Sequence, residues 1–299
     1  MPSDEMAATL ALMWAQRAEG VGRADPSLDE MRARLDELGN LFPVPADVTV
    51  TQTNAGGVPA CWLDAPGVDH SRVLMYLHGG GYVGGSARSH GELAARLARA
   101  TGARALVLDY RLAPAHPIPG ALEDAVTAWR WLLHQGVAPG SAVLAGDSAG
   151  GGLAAATMVA LREAGDPLPA AAALLSPWTD LTGSGPSMAT KAGVDPVLTA
   201  ARQAAMARDY AGDADLADPR LSPLFADLTG LPPLLVHAGS AELLLDDGRR
   251  LAEAAGRAGV AVSFEEAADM PHVWHIIAVA PEATAATGRI GAFLAGQLA

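Results

Sequence analysis

A layered α/β fold with a mostly parallel sheet is predicted by two features of the chain. From residue 72 onward, short and almost continuously apolar runs alternate with stretches of helical apolar spacing. The runs also lack the polar alternation of a half-exposed strand, which happens when helices cover both faces of a sheet. The runs are 73-VLMYL-77, 104-RALVLDY-110, 142-AVLAG-146, 171-AAALLS-176, 233-PLLVHA-238 and 260-VAVSFEE-266. Such sheets carry their chemistry at the C-terminal ends of their strands.

In chain order, residues 4–19 and 27–39 have helix-like spacing, through Met6, Leu10, Met13 and Trp14, then Leu28, Met31, Leu35 and Leu38. The break 20-GVGRADPS-27 separates them, with Ser27 as N-cap. Two strands follow, 47-DVTVTQT-53 and, after a Gly-Gly turn, 59-PACWLD-64. Helices are predicted over 88–102, 120–136, 149–165 and 246–259, between the apolar runs. Residues 177–230 are too long for an ordinary connection and read as an insertion beside the site, with a short helix near 199–212. The whole chain of 299 residues reads as one domain.

Half the residues are apolar, enough for a large core, and the net charge is −13. That charge argues against nucleic acid and against an anionic membrane surface as partners. Cys61 is the single cysteine, which excludes a disulfide framework and reads as a small core residue. No basic region precedes an apolar stretch at the N-terminus, and no run reaches about 18 apolar residues. The expectation is a cytoplasmic protein.

The glycine-dense stretch 75-MYLHGGGYVGGS-86 fits a dinucleotide fingerprint through Gly79, Gly81 and Gly84, or an oxyanion hole, because both need backbone N–H groups at close range. The stretch 146-GDSAG-150 decides between them. A serine between an apolar strand and a helix sits on a sharp turn, its hydroxyl projects clear of the sheet, and the N–H of Ala149 points at charge developing on a carbonyl oxygen. Ser148 is therefore the candidate nucleophile. It needs a histidine to take its proton and an acid to orient that histidine.

Of the eight histidines, His70, His90 and His134 read as solvated, His116 sits in a proline-rich loop, and His237 reads as a core histidine within a strand. His272, in 269-DMPHVWH-275, follows the last strand and is the candidate base, with His275 its competitor. The acid belongs after the strand 233–238. Glu242 comes first there, with Asp246 and Asp247 as alternatives that also suit the first turn of the next helix.

These motifs together resemble the hormone-sensitive-lipase-like family of α/β-hydrolases, carboxylesterases with an H-G-G-G loop upstream of G-D-S-A-G-G. The chain has 78-HGGGY-82 and 146-GDSAGG-151, and 109-DYRLAPAHPIPGALEDA-125 and 218-DPRLSPL-224 are similar to two further family segments. The resemblance runs over most of the chain from about residue 70. It implies an α/β-hydrolase fold with a small helical cap, here about 1–45 and about 180–215. It implies Ser148 as nucleophile, His272 as base, Glu242 at a position where aspartate is usual, and Gly79, Gly80 and Ala149 as oxyanion donors. Met13, Trp14, Tyr82, Trp178, Leu181, Met206 and Tyr210 are candidates for the pocket wall. A homodimer through the last strand and helix is suggested by resemblance alone.

Other chemistries fit less well. No glycine run continues into G-K-S or G-K-T, and the helix opens several residues beyond Gly84. His272 and His275 lack a third metal ligand. No cofactor and no metal are expected. The plant gibberellin receptors resemble this family without the catalytic histidine; the presence of His272 argues against such a binding role. The expected activity is hydrolysis of short- to medium-chain carboxylic esters, with lactones as the alternative substrate.

Overall fold

The apolar runs become strands because each side of the sheet has a helical layer to bury against. The computed structural model describes residues 1–20 and 27–299; most of the break expected at 20–27 lies outside the described residues. The elements are α1 (Asp4–Gly20), α2 (Leu28–Leu41), β1 (Thr49–Ala55), β2 (Val58–Asp64), β3 (Asp69–Leu77), α3 (Ala87–Thr101), β4 (Ala103–Leu108), α4 (Gly120–His134) and β5 (Ala142–Asp147). Then come α5 (Ala149–Ala164), β6 (Ala172–Leu175), α6 (Ser187–Thr190), α7 (Ala200–Ala211), β7 (Leu234–Gly239), α8 (Leu245–Arg257), β8 (Val262–Ala267) and α9 (Pro281–Ala295).

The strands form one sheet of order β1-β2-β4-β3-β5-β6-β7-β8. β1 and β2 pair antiparallel, as do β2 and β4, and the remaining pairs are parallel. Alternate residues of each inner strand feed two separate cores. Val73, Met75 and Leu77 join Leu144, Leu174 and Val236 on one face, packed with Trp129 of α4, Leu153 of α5 and Leu251 of α8. Leu74 and Tyr76 join Val107, Val143 and Leu235 on the other, packed with Leu93 of α3 and Ile290 of α9. This two-sided burial removes the polar alternation. The outermost strands, β1 and β8, remain partly exposed along their length.

Local chemistry sets the helix ends. Ser27 caps α2 with a reciprocal Glu30 contact, and Ser86 caps α3. Gly102 and Gly165 close α3 and α5 in the left-handed region, where a Cβ would be strained. The insertion holds α6 and α7; α6 has four residues and no sequence signal. Among the described residues no helix is long and apolar enough to cross a membrane.

Candidate active site

The parallel strands point their C-terminal ends at one place. β3 is followed directly by His78 and its glycines and β5 by Ser148, while β7 ends three residues before Glu242 and β8 five residues before His272. Ser148 lies between β5 and α5 with φ +52°, a strained value for a non-glycine residue, as a strand-to-helix elbow requires. Two glycines make the elbow tight: a Cβ on Gly150 would meet the Leu77 carbonyl, and one on Gly146 the Gly150 carbonyl. The Ser148 N–H donates to the Leu175 carbonyl at 2.8 Å, and its own carbonyl accepts from the Gly152 and Trp178 N–H groups.

The three predicted side chains form a continuous line. Nε2 of His272 is 2.9 Å from Oγ of Ser148, and Nδ1 of His272 is 3.1 Å from Oε2 of Glu242. All three residues are buried. The His272 loop is held by the Val273 N–H, which donates to Oγ of Ser176 at 3.1 Å. Burial pushes the His272 pKa down, but the bond and charge of Glu242, with Asp195 and Asp147 behind it, outweigh burial and leave it raised. Burial raises the Glu242 pKa, opposed by His272 and the nearby Ser176 hydroxyl.

The competitors point elsewhere. His275 is fully buried, and its Nε2 lies 3.2 Å from Nδ1 of His237. The Asp246 carboxylate accepts from the Ser187 N–H and from Arg249, both at 2.7 Å. Asp247 accepts from the N–H groups of Thr179 at 2.9 Å and Asp180 at 2.8 Å. Both aspartates lie in the first turn of α8, but they tie down the chain that leaves β6.

Two expectations need correction. Gly79 is not free to be an oxyanion donor: its N–H donates to Oδ1 of Asp147 at 3.0 Å. The N–H groups of Gly80, Gly81 and Ala149 have no hydrogen-bond acceptor among the described residues. The loop passes through positive φ at Gly80 (118°) and Gly81 (65°), a backbone course that glycine permits. His90 is not solvated. It is buried, with Nε2 3.4 Å from Asp147. That pairing and the Tyr76 hydroxyl, 2.6 Å from Oδ1, hold the Asp147 pKa low even though burial alone would raise it. Asp147 thus joins the elbow to the glycine loop, a role carried by the second letter of G-D-S-A-G. His78 braces that loop through Nδ1, 2.8 Å from the Gly79 carbonyl, and stacks on Tyr110 with ring centres 4.2 Å apart.

Five of the pocket candidates gather in the main core beside the elbow. Tyr82 stacks on Tyr210 at 3.7 Å and tilts against Trp178 at 6.0 Å. Met206 lies where a Gly81 side chain would be, and Leu181 is buried in the same cluster. Met13 instead packs against a separate cluster that includes Met6, Met270 and Trp274. Trp14 is 38% exposed, with the Arg17 guanidinium 5.5 Å from its ring centre.

Known proteins share this architecture. Residues 74–276 match a family described as having the alpha/beta hydrolase fold. An acetyl-hydrolase of Streptomyces hygroscopicus is 46% identical over 91% of this chain and 90% of its own. An esterase of Acinetobacter venetianus is 36% identical over 79% of this chain and 78% of its own. The crystal structure of an esterase from the bacterial hormone-sensitive lipase family superposes with a TM-score of 0.95 at 44% identity, covering both chains completely. With its fold, motifs and relatives in agreement, the chain belongs to the α/β-hydrolase fold family, within the hormone-sensitive-lipase-like group of carboxylic ester hydrolases.

Proposed function

We propose that the chain is a serine carboxylesterase acting on short- to medium-chain esters through an acyl-enzyme. The hydrogen-bonded line Ser148–His272–Glu242 carries this reading. His272 takes the Ser148 proton as Oγ attacks the ester carbonyl, and Glu242 holds the imidazole and stabilises its charge. The N–H groups of Gly80, Gly81 and Ala149 receive the oxyanion, the last with the α5 dipole behind it. The imidazolium then gives its proton to the leaving alkoxide. Water, deprotonated by His272, attacks the acyl-enzyme; the acid leaves and Ser148 regains its proton.

A cap composed of about 1–45, of which 21–26 lie outside the described residues, and about 180–215 covers the site in this reading. It is supported by two arginines. Arg17 of α1 donates to the carbonyls of Ala192, Asp195 and Leu198, and Arg32 of α2 to those of Val83 and Ala113. Met206 against Gly81, with the Tyr82–Tyr210 stack behind, favours a small acyl group. The relative named acetyl-hydrolase points the same way. The test is turnover of p-nitrophenyl esters of graded acyl length, beside lactones, by the wild type and Ser148→Ala. Wild type should favour acetate to butyrate, and Ser148→Ala should lose about 10⁴-fold or more in kcat. Retained activity in Ser148→Ala would refute the mechanism, and faster lactone opening would move the substrate class.

A further inference from the structure

We propose that Asp195 is a positioning residue for the triad acid, the centre of a clamp by which the segment between α6 and α7 holds Glu242 against His272. This rests on the triad reading above. Leu243, the residue after Glu242, has both backbone polar groups gripped, one by Asp195 of that segment and the other by Ser187 at the start of α6. Its N–H donates to Oδ2 of Asp195 at 2.7 Å, and its carbonyl accepts from Oγ of Ser187 at 2.6 Å. Ser187 Oγ also accepts from the Asp246 N–H at 3.1 Å, so the clamp spans the turn into α8.

Asp195 is fully buried. Its other oxygen accepts from the Val197 and Leu198 N–H groups at 2.7 and 2.8 Å, so three backbone donors satisfy the carboxylate and fix its direction. Arg17 fastens the same turn from outside through its bonds to the carbonyls of Ala192, Asp195 and Leu198. Glu242 meets His272 through Oε2, while its Oε1 has no hydrogen-bond partner among the described residues. Beyond His272 and the nearby Ser176 hydroxyl, the direction of this carboxylate depends on its backbone, and Asp195 holds that backbone through Leu243.

A purely structural clamp and a positioning clamp differ in what the chemistry reads. The groups facing His272 are Glu242 before α8, Asp195 between α6 and α7, Asp147 at the end of β5, and the neutral His275 on its own loop. The three carboxylates favour imidazolium. Free His272 must be neutral to act as base, so kcat/KM climbs as pH rises through its pKa. Removing the Asp195 charge moves that limb to lower pH. An asparagine also cannot serve both sets of donors: whichever way its amide is turned, an NH₂ faces an N–H.

The experiment measures kcat and KM for p-nitrophenyl acetate from about pH 5 to about pH 9 in wild type, Asp195→Asn, Ser187→Ala and Glu242→Gln. Asp195→Asn is expected to lose about 10- to 100-fold in kcat with KM little changed, and its acid limb moves to lower pH. Ser187→Ala, which removes no charge, is expected to lose a few-fold in kcat with the limb unmoved. A wild-type kcat and limb in Asp195→Asn, or a loss confined to KM, overturns the proposal. Should Asp195→Asn fail to fold, Ser187→Ala decides: lower kcat at constant KM supports the clamp, and unchanged kcat overturns it. An active Glu242→Gln refutes the triad reading itself, whatever Asp195 does.

Discussion

At the residue scale, the assignment of the acid rests on direction more than proximity in sequence. Glu242, Asp246 and Asp247 lie within six residues, yet only Glu242 reaches His272 among the described contacts. Asp246 spends its oxygens on Ser187 and Arg249, and Asp247 accepts from the chain after β6. Glu242→Gln should therefore lower kcat by about 10³-fold or more, since a neutral partner no longer favours imidazolium or holds the right tautomer. Asp246→Asn should cost less than about 10-fold, through the turn it steadies. Steady-state kinetics of the two variants decide it, and a larger loss from Asp246→Asn would overturn the assignment. Ser148, Glu242 and His272 were legible because each follows a recognisable strand. The direction of the Gly79 N–H was not: it depends on Asp147, 68 positions away, whose partner His90 reads in sequence as part of a helix surface.

At the scale of elements, the alternation of apolar runs and helices located each strand from β3 to β8. Two-sided burial leaves a mark along the whole run, whereas strand ends depend on pairing. β3 starts at Asp69, ahead of its apolar stretch, because Asp69 pairs with Ala103 of β4 across an irregular register. The 177–230 insertion was legible by length alone. What it does was not, since Asp195 and Ser187 act only once the chain folds back onto the turn before α8. In α7, Met206 is 8% exposed and lies where a Gly81 side chain would be; the proposed mechanism makes Gly81 an oxyanion donor, which puts Met206 beside the reacting carbonyl. Met206→Ala should raise the preference for hexanoate over acetate by about 10-fold in kcat/KM, the worth of one or two methylenes in an apolar pocket. It should also lower stability by about 2–3 kcal/mol from lost packing. An unchanged chain-length profile would remove Met206 from the pocket wall.

For the molecule as a whole, the buried histidines outside the triad govern how acid reaches the fold. Burial pushes His78 down to about 3 and His237 to about 4, and His275 lies well below the ordinary range of an imidazole. In the unfolded chain each titrates near its ordinary value of about 6.5. Between about 6.5 and about 4 these three sites therefore bind more protons in the unfolded chain than in the fold, and their contribution to stability falls as pH falls, by about 1.4 kcal/mol per pH unit for each such group. Glu242, Asp109 and Asp247, whose pKa values burial raises, take up protons in the fold and work against this trend. The His237–His275 pair can be isolated by a difference. Nδ1 of His237 meets Nε2 of His275 at 3.2 Å, and Nε2 of His237 lies 3.3 Å from Glu265 at the sheet edge. A His237→Gln, His275→Gln double variant keeps hydrogen-bonding capacity without a titrating ring. Its Tm should fall less than that of wild type between pH 7 and pH 5, by a margin on the order of several °C. Calorimetry of both proteins at the two pH values checks this. An equal or steeper fall in the double variant would mean that acid enters elsewhere, at the carboxylates that hold the site together.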